Sequence, residues 1–184
     1  KIIIWDRTNE ELKEAGYKLS RSAGSLRIMG TDSSGLGYAS QPVINRSVAS
    51  LFSRIQAELV DSAISLALLK DHGIAGITGG MKNYFGAIHN PNKYHDSNCD
   101  PYLADLFEID LIRKKHRLTI LDALRVQYHR GPSYHPQWNE KTNQLIFGFD
   151  PVAVDAVGWK LIENLRAKKG LPTLSEERRE PTYL

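Results

Sequence analysis

The feature that most constrains this chain of 184 residues is the apolar stretch Ala63–Leu69, inside the longer segment Glu58–Lys70. It is interrupted by Ser65 and is far shorter than the roughly 20 apolar residues of a membrane helix. It suits a buried central strand instead. Such a strand needs a core around it, and a chain of this length with 41% hydrophobic residues can build one domain. The stretch ends in Lys70-Asp71-His72-Gly73. In open α/β sheets, ligands bind beyond the carboxyl ends of the strands. A polar cluster at that end is therefore a candidate site.

The rest of the chain alternates between strand and helix patterns. Lys1–Trp5 is a β-branched run that reads as a core strand. Thr8 with Glu11 forms a capping box that starts a short helix stopping at Gly16. Leu26–Met29 reads as the next strand. Ser47–Ala57 reads as a helix with Val48, Leu51, Phe52 and Ile55 on one face. Asp100-Pro101 predicts a capped helix to Phe107, and His116–Leu124 and Leu145–Phe149 predict strands. Asp150-Pro151 predicts a helix over Val152–Leu165, with Val154, Val157, Leu161 and Leu165 facing inward. Gly170-Leu171-Pro172 closes it. This order implies an α/β fold, a three-layer sandwich with a mostly parallel sheet. One domain is expected over residues 1–170, with an exposed charged tail over 171–184. The start directly on a strand, without Met, leads us to expect a processed chain or a fragment lacking a first strand–helix portion.

Composition narrows the partners. A net charge of +3 does not argue for nucleic acid or an anionic membrane. The basic run Arg113–Arg117 has no interleaved aromatics and reads as a solvated edge. Cys99 is the single cysteine, which excludes an intramolecular disulfide and a cluster held by four thiolates of this chain. No membrane span is expected. The compartment stays open between a prokaryotic cytoplasm and an exported location with its signal removed.

Three groups of residues are candidates for chemistry. His89, His95 and Cys99 lie within one polar loop, and these donors suit zinc, iron, nickel or copper better than magnesium. Solvated loop histidines are the plainer reading. Lys70, His72 and Lys82 could bind a carboxylate or phosphate, or supply a base, with Thr78, Gly79 and Asn83 beside them as binding partners. Lys70 as a simple surface cap of the strand is the competing reading. Asp122 ends a strand, and Asp155 sits in the second turn of an apolar helix. Both could orient the other groups. The loop Gly30–Pro42 is Gly- and Ser-rich but matches no phosphate-loop pattern, so a plain loop is expected over nucleotide binding.

Leu69-Lys70-Asp71-His72 followed by Ile77-Thr78-Gly79-Gly80-Met81-Lys82-Asn83-Tyr84-Phe85-Gly86 resembles the signature of the domain of unknown function 362 family. The loop from Asn92 to Pro101 is similar to that family's histidine-bearing loop. Leu118–Ala123, Gly131-Pro132 and Asp150–Gly158 resemble its later blocks, in the same order. The resemblance implies an unassigned activity in a family some of whose members carry an added iron–sulfur module. It also points distantly to nickel-pincer lactate racemases, by analogy alone. The resulting expectation is an enzyme dependent on a metal (zinc, iron or nickel) or another cofactor, with redox or isomerase chemistry on a small organic acid. Lys70, His72, Lys82 and Asp122 would be catalytic. Thr78, Gly79, Asn83 and Asp155 would bind the cofactor, and His89, His95 and Cys99 the metal. The alternative is a non-catalytic binding module, as a homo-oligomer or a subunit of a larger assembly.

Overall fold

A computed structural model describes residues 1–22 and 24–184. Strand β1 (Ile2–Ile4) and strand β2 (Leu26–Ile28) pair in parallel across helix α1 (Asn9–Glu14), as the β-α-β reading expects. The capping box is formed. Glu11 N donates to Thr8 Oγ1 at 3.2 Å, and Thr8 N donates to Glu11 Oε2 at 3.1 Å.

The helix expected over Ser47–Ala57 is not there. Val43–Asn45 (β3) and Val48–Ser50 (β4) form an antiparallel hairpin, and a single π-helical turn follows at Ile55–Leu59. The reason lies outside the segment. The buried carboxylate of Asp105 accepts hydrogen bonds from Ser47 N at 3.1 Å and Ser47 Oγ at 2.6 Å, while Asn45 Nδ2 reaches Asp105 O at 2.8 Å. These bonds fasten the turn. Val48, Ser50 and Phe52 are all buried and share strand parity, so the helical spacing of Val48 and Phe52 also fits a strand.

The main sheet has four strands in the order β6-β5-β7-β8: β5 (Ala63–His72), β6 (Gly76–Thr78), β7 (His116–Gln127) and β8 (Asn139–Gly148). The class is α/β as expected. The sheet is mixed, because only β5 and β7 pair in parallel, while β6 and β8 are antiparallel to their neighbours. Two short helices, α2 (Gly80–Asn83) and α3 (Tyr102–Phe107), and a further turn, α4 (Asp110–Arg113), lie between β6 and β7. Pro101, not Asp100, stands at the start of α3, and no side chain caps it.

Helix α5 (Pro151–Lys168) covers one face of the sheet. Its buried stripe is Val154, Asp155, Gly158, Ile162, Leu165 and Arg166, whereas Val157, expected inside, is 54% exposed. The stripe hides from apolar pattern reading because it includes a glycine and two charges. Gly158 permits the close approach, since a Cβ there would stand 2.7 Å from Leu121 Cδ2. Asp150 caps the helix as predicted, accepting from Val152 N at 2.9 Å and Ala153 N at 3.3 Å. Asp150→Ala is expected to cost about 1 kcal/mol. An unchanged midpoint in urea denaturation would contradict that role.

The opposite face of β5 and β8 carries Ile64, Leu66, Leu68, Leu145 and Phe147, all exposed. The segment after α5 is packed rather than free. Leu174, Pro181 and Tyr183 are buried, and Arg179 pairs with Asp71 of β5. Two of its charges, Glu177 and Arg179, serve buried pairing instead of solvation, which charge counting along the tail does not reveal.

Candidate functional site

The site forms where β5 outruns its parallel partner. The β5–β7 register shifts between Leu68 and Lys70 and resumes at Lys70–Gln127, the end of β7, so that Asp71 and His72 run on past their parallel partner. The hairpin to β6 folds back over them, and Lys70 N donates to Thr78 Oγ1 at 3.0 Å.

Gly79 and Gly80 then turn the chain into α2. Both are glycine because the approach is too close for a Cβ. One at Gly79 would lie 2.5 Å from the Asp155 carboxyl, and one at Gly80 would lie 2.3 Å from Thr119 Cγ2. The N–H groups at this turn are not free for a ligand. Asp155 accepts from Gly80 N at 2.7 Å and Met81 N at 3.0 Å. Burial pushes the Asp155 carboxyl up to about 6 against the pull of those two bonds. Asn83 Nδ2 braces the turn against β5, donating to Ser65 Oγ at 3.1 Å and Leu66 O at 3.2 Å. Thr78, Gly79, Asn83 and Asp155, expected to bind a cofactor, thus form the scaffold that aims Lys82.

Lys82 Nζ lies 2.9 Å from His95 Nε2. The other ring nitrogen of His95, Nδ1, lies 3.0 Å from Pro91 O. A carbonyl can only accept, so Nδ1 carries the proton and Nε2 faces Lys82 as a bare acceptor. His72 is fixed in the opposite tautomer. Its Nδ1 accepts from Ile74 N at 3.2 Å and Ala75 N at 3.1 Å, so Nε2 carries the proton. Among the described residues no protein group accepts that proton. The two imidazole rings stand 5.7 Å apart, centre to centre.

The electrostatics are one-sided. Among the described residues neither Lys70 nor Lys82 forms an ion pair, and Lys70 Nζ donates to Pro132 O at 2.9 Å. Burial lowers the pKa of both lysines; on Lys82 the neighbouring Cys99 pulls the other way and the charge of Lys70 adds to the lowering. Burial, then the charges of Lys82, His95, Lys70 and Arg179, press His72 down to about 3, so it is a neutral donor. Burial and then the Lys82 charge lower His95 as well. Cys99 is fully buried and its thiol is pushed up to about 11, which leaves it un-ionised and a poor nucleophile.

The expected metal set does not assemble. His89 is exposed, stacked edge-on against Tyr38 with 5.3 Å between ring centres, away from His95 and Cys99. Among the described residues no three His, Cys, Asp or Glu side chains converge as metal ligands. His95 Nε2, its one ligating nitrogen, is occupied by Lys82. Asp122 also stands apart. It accepts from Leu124 N at 2.8 Å and lies in register with Leu68 and Leu145, whose side chains occupy the open face of the sheet. The Gly30–Gly37 loop spends its polar groups locally, with Gly30 N donating to Asn9 Oδ1 and Asn9 N to Asp32 Oδ1, both at 2.8 Å.

Two supporting residues escape sequence reading. Arg179 Nη1 donates to His72 O at 3.1 Å from 107 residues away. Asn98 Nδ2 donates to Arg178 O and Glu180 O, both at 3.3 Å, tying the tail to the His95–Cys99 loop. That loop is strained, because Ser97, Asn98 and Cys99 have φ of 48°, 57° and 63°. No local pattern announces contacts of this separation.

No curated protein and no solved structure matches the chain. A family model described as a domain of unknown function (DUF362) matches residues 4–160. That span holds Lys70, His72, Lys82, His95 and Cys99 and covers most of the chain, which therefore belongs to the DUF362 family.

Proposed function

We propose that the protein is an enzyme that moves a proton on a small organic acid, as an isomerase does. The carrying observation is the 2.9 Å contact between Lys82 Nζ and the bare Nε2 of His95. A lysine held against an imidazole acceptor, without a carboxylate counter-ion, can pass a proton either way. Lys70 supplies the charge that holds the substrate carboxylate. The Nε2–H of His72 donates to an oxygen on which negative charge develops, and because His72 is neutral it does so without giving up its proton.

The reading is tested by proton NMR in heavy water. A panel of small hydroxy and oxo acids is incubated with the protein, and loss of the C–H signal is followed at the hydroxyl-bearing carbon of the hydroxy acids and at the carbon beside the carbonyl of the oxo acids. Exchange is expected, with His95→Ala slowing it about 10²- to 10⁴-fold. Exchange that is absent, or equal in the variant and the parent, would refute the reading. A second reading, a subunit of a larger assembly, draws on the open apolar face at Leu66 and Phe147. Light scattering on the purified chain separates the two, since a stable monomer speaks against that assembly.

A further inference from the structure

We infer that the substrates are small 2-oxo acids and that Lys82 forms an imine with their carbonyl carbon. This rests on the reading of Lys82 and His95 as a proton-transfer pair, and it adds a covalent step. The lysine surroundings carry it. An amine attacks a carbonyl only as the free base, and a lysine is kept charged by carboxylates. Lys114 and Lys169 show that ordinary case: Lys114 Nζ lies 2.7 Å from Asp110, and Lys169 Nζ lies 3.2 Å from Glu140. Lys82 instead faces a proton acceptor, His95 Nε2, and the ring of Phe85 with 5.2 Å between Nζ and the ring centre. A nearby second ammonium, Lys70, further favours the neutral amine. Cys99 offers no competing nucleophile, because its buried thiol stays protonated.

The remaining groups select the 2-oxo acid over a hydroxy acid. A hydroxy acid presents an amine with no electrophilic carbon. A 2-oxo acid presents a carboxylate for Lys70, a carbonyl oxygen for His72 Nε2–H, and a carbonyl carbon for Lys82. His95 Nε2 first takes a proton from the Lys82 ammonium. The free Nζ then bonds to the carbonyl carbon, and the C=O electron pair moves to oxygen, which accepts the His72 hydrogen bond. The added nitrogen passes one of its protons to that oxygen, which gives a neutral carbinolamine. Its hydroxyl then receives a proton from the imidazolium of His95 and leaves as water, and the nitrogen electron pair closes the protonated imine. No oxidant or reductant is consumed. The imine draws electrons from the adjacent carbon, which makes a proton there easier to remove.

The test uses the 184-residue chain with pyruvate and sodium cyanoborohydride, which reduces the imine to a stable secondary amine. Intact mass spectrometry is expected to show a gain of one pyruvic acid less one oxygen atom, and peptide mapping to place it on Lys82. Lys82→Arg is expected to abolish that adduct. His95→Gln is expected to slow it about tenfold or more, with folding checked by its amide NMR spectrum. Adduct spread over surface lysines without preference for Lys82 would overturn the inference. Lactate provides the second arm, because it has the carboxylate but no carbonyl. If lactate shifts the His72 and His95 ring signals while pyruvate gives no Lys82 adduct, the imine falls and the acid-binding site stands. If neither acid perturbs the site, both fall.

Discussion

Replacing Asp71 by alanine is expected to destabilise the fold by about 3–5 kcal/mol. Asp71 is 1% exposed in its side chain and stands between two guanidinium groups. Arg179 Nη1 lies 2.5 Å from its Oδ1, and Arg166 Nη1 lies 3.6 Å from the same oxygen. Its second oxygen accepts from Gly131 N at 2.8 Å. Arg166 is fully buried on α5 and also donates to Tyr128 O at 3.1 Å and Pro172 O at 2.9 Å, so it cannot turn to water. Without Asp71, Glu177 alone faces both arginines. A buried cation that loses half its counter-charge costs far more than an exposed ion pair contributes. The same change releases Arg179 from β5, and with it the hydrogen bond to His72 O. Urea denaturation should therefore show a lower midpoint with an unchanged slope, and His72 and His95 ring signals should broaden or move. A midpoint corresponding to less than about 1 kcal/mol of loss would mean that the network does not hold the tail.

The sequence is most legible where the signal is local. The Thr8–Glu11 box and the Asp150 cap form as read, because each is made by residues two or three positions apart. Strand β5 and the lysine and histidine at its end follow from one apolar run and a positional rule. Lys82 and His95 are each candidates in the sequence, but in separate groups, and their pairing is not legible because they stand thirteen positions apart across two short helical turns. Reading fails where a distant group decides. Asp105 turns an apparent helix into the β3–β4 hairpin. Asp155 looks like a ligand by its place among valines, yet its carboxylate fastens Gly80 and Met81. The tail looks solvated by charge, yet Arg179 and Glu177 are counter-ions to buried groups. Spacing and strand position group His89 and Asp122 with the site, but side-chain direction separates them from it.

The second large effect is acid lability at His72. In the folded protein this imidazole titrates near 3, against an ordinary value of 6.5. Above 6.5 it is neutral in both folded and unfolded chains, and its contribution to stability is complete. As the pH falls below 6.5 the unfolded chain takes up a proton that the folded chain refuses, so stability is lost by about 1.4 kcal/mol per pH unit. The loss ends only when the folded form is itself protonated, near 3. Geometry explains the refusal. The added proton would have to sit on Nδ1, which already accepts from Ile74 N and Ala75 N, and both bonds would break. Asp155 acts in the opposite sense, because its folded value of about 6 lies above the ordinary 3.8. Between those values the folded chain holds a proton the unfolded chain has released, so this carboxyl adds stability as the pH falls from 6 toward 3.8. The parent curve alone therefore understates His72, and a difference measurement isolates it. In His72→Asn the amide oxygen can take over the Nδ1 role and does not titrate. The stability gap between parent and variant should shift in favour of the variant by on the order of 3 kcal/mol between about pH 6.5 and about pH 4. Parallel curves over that range would show that His72 titrates normally, and would remove the neutral donor from the proposed site.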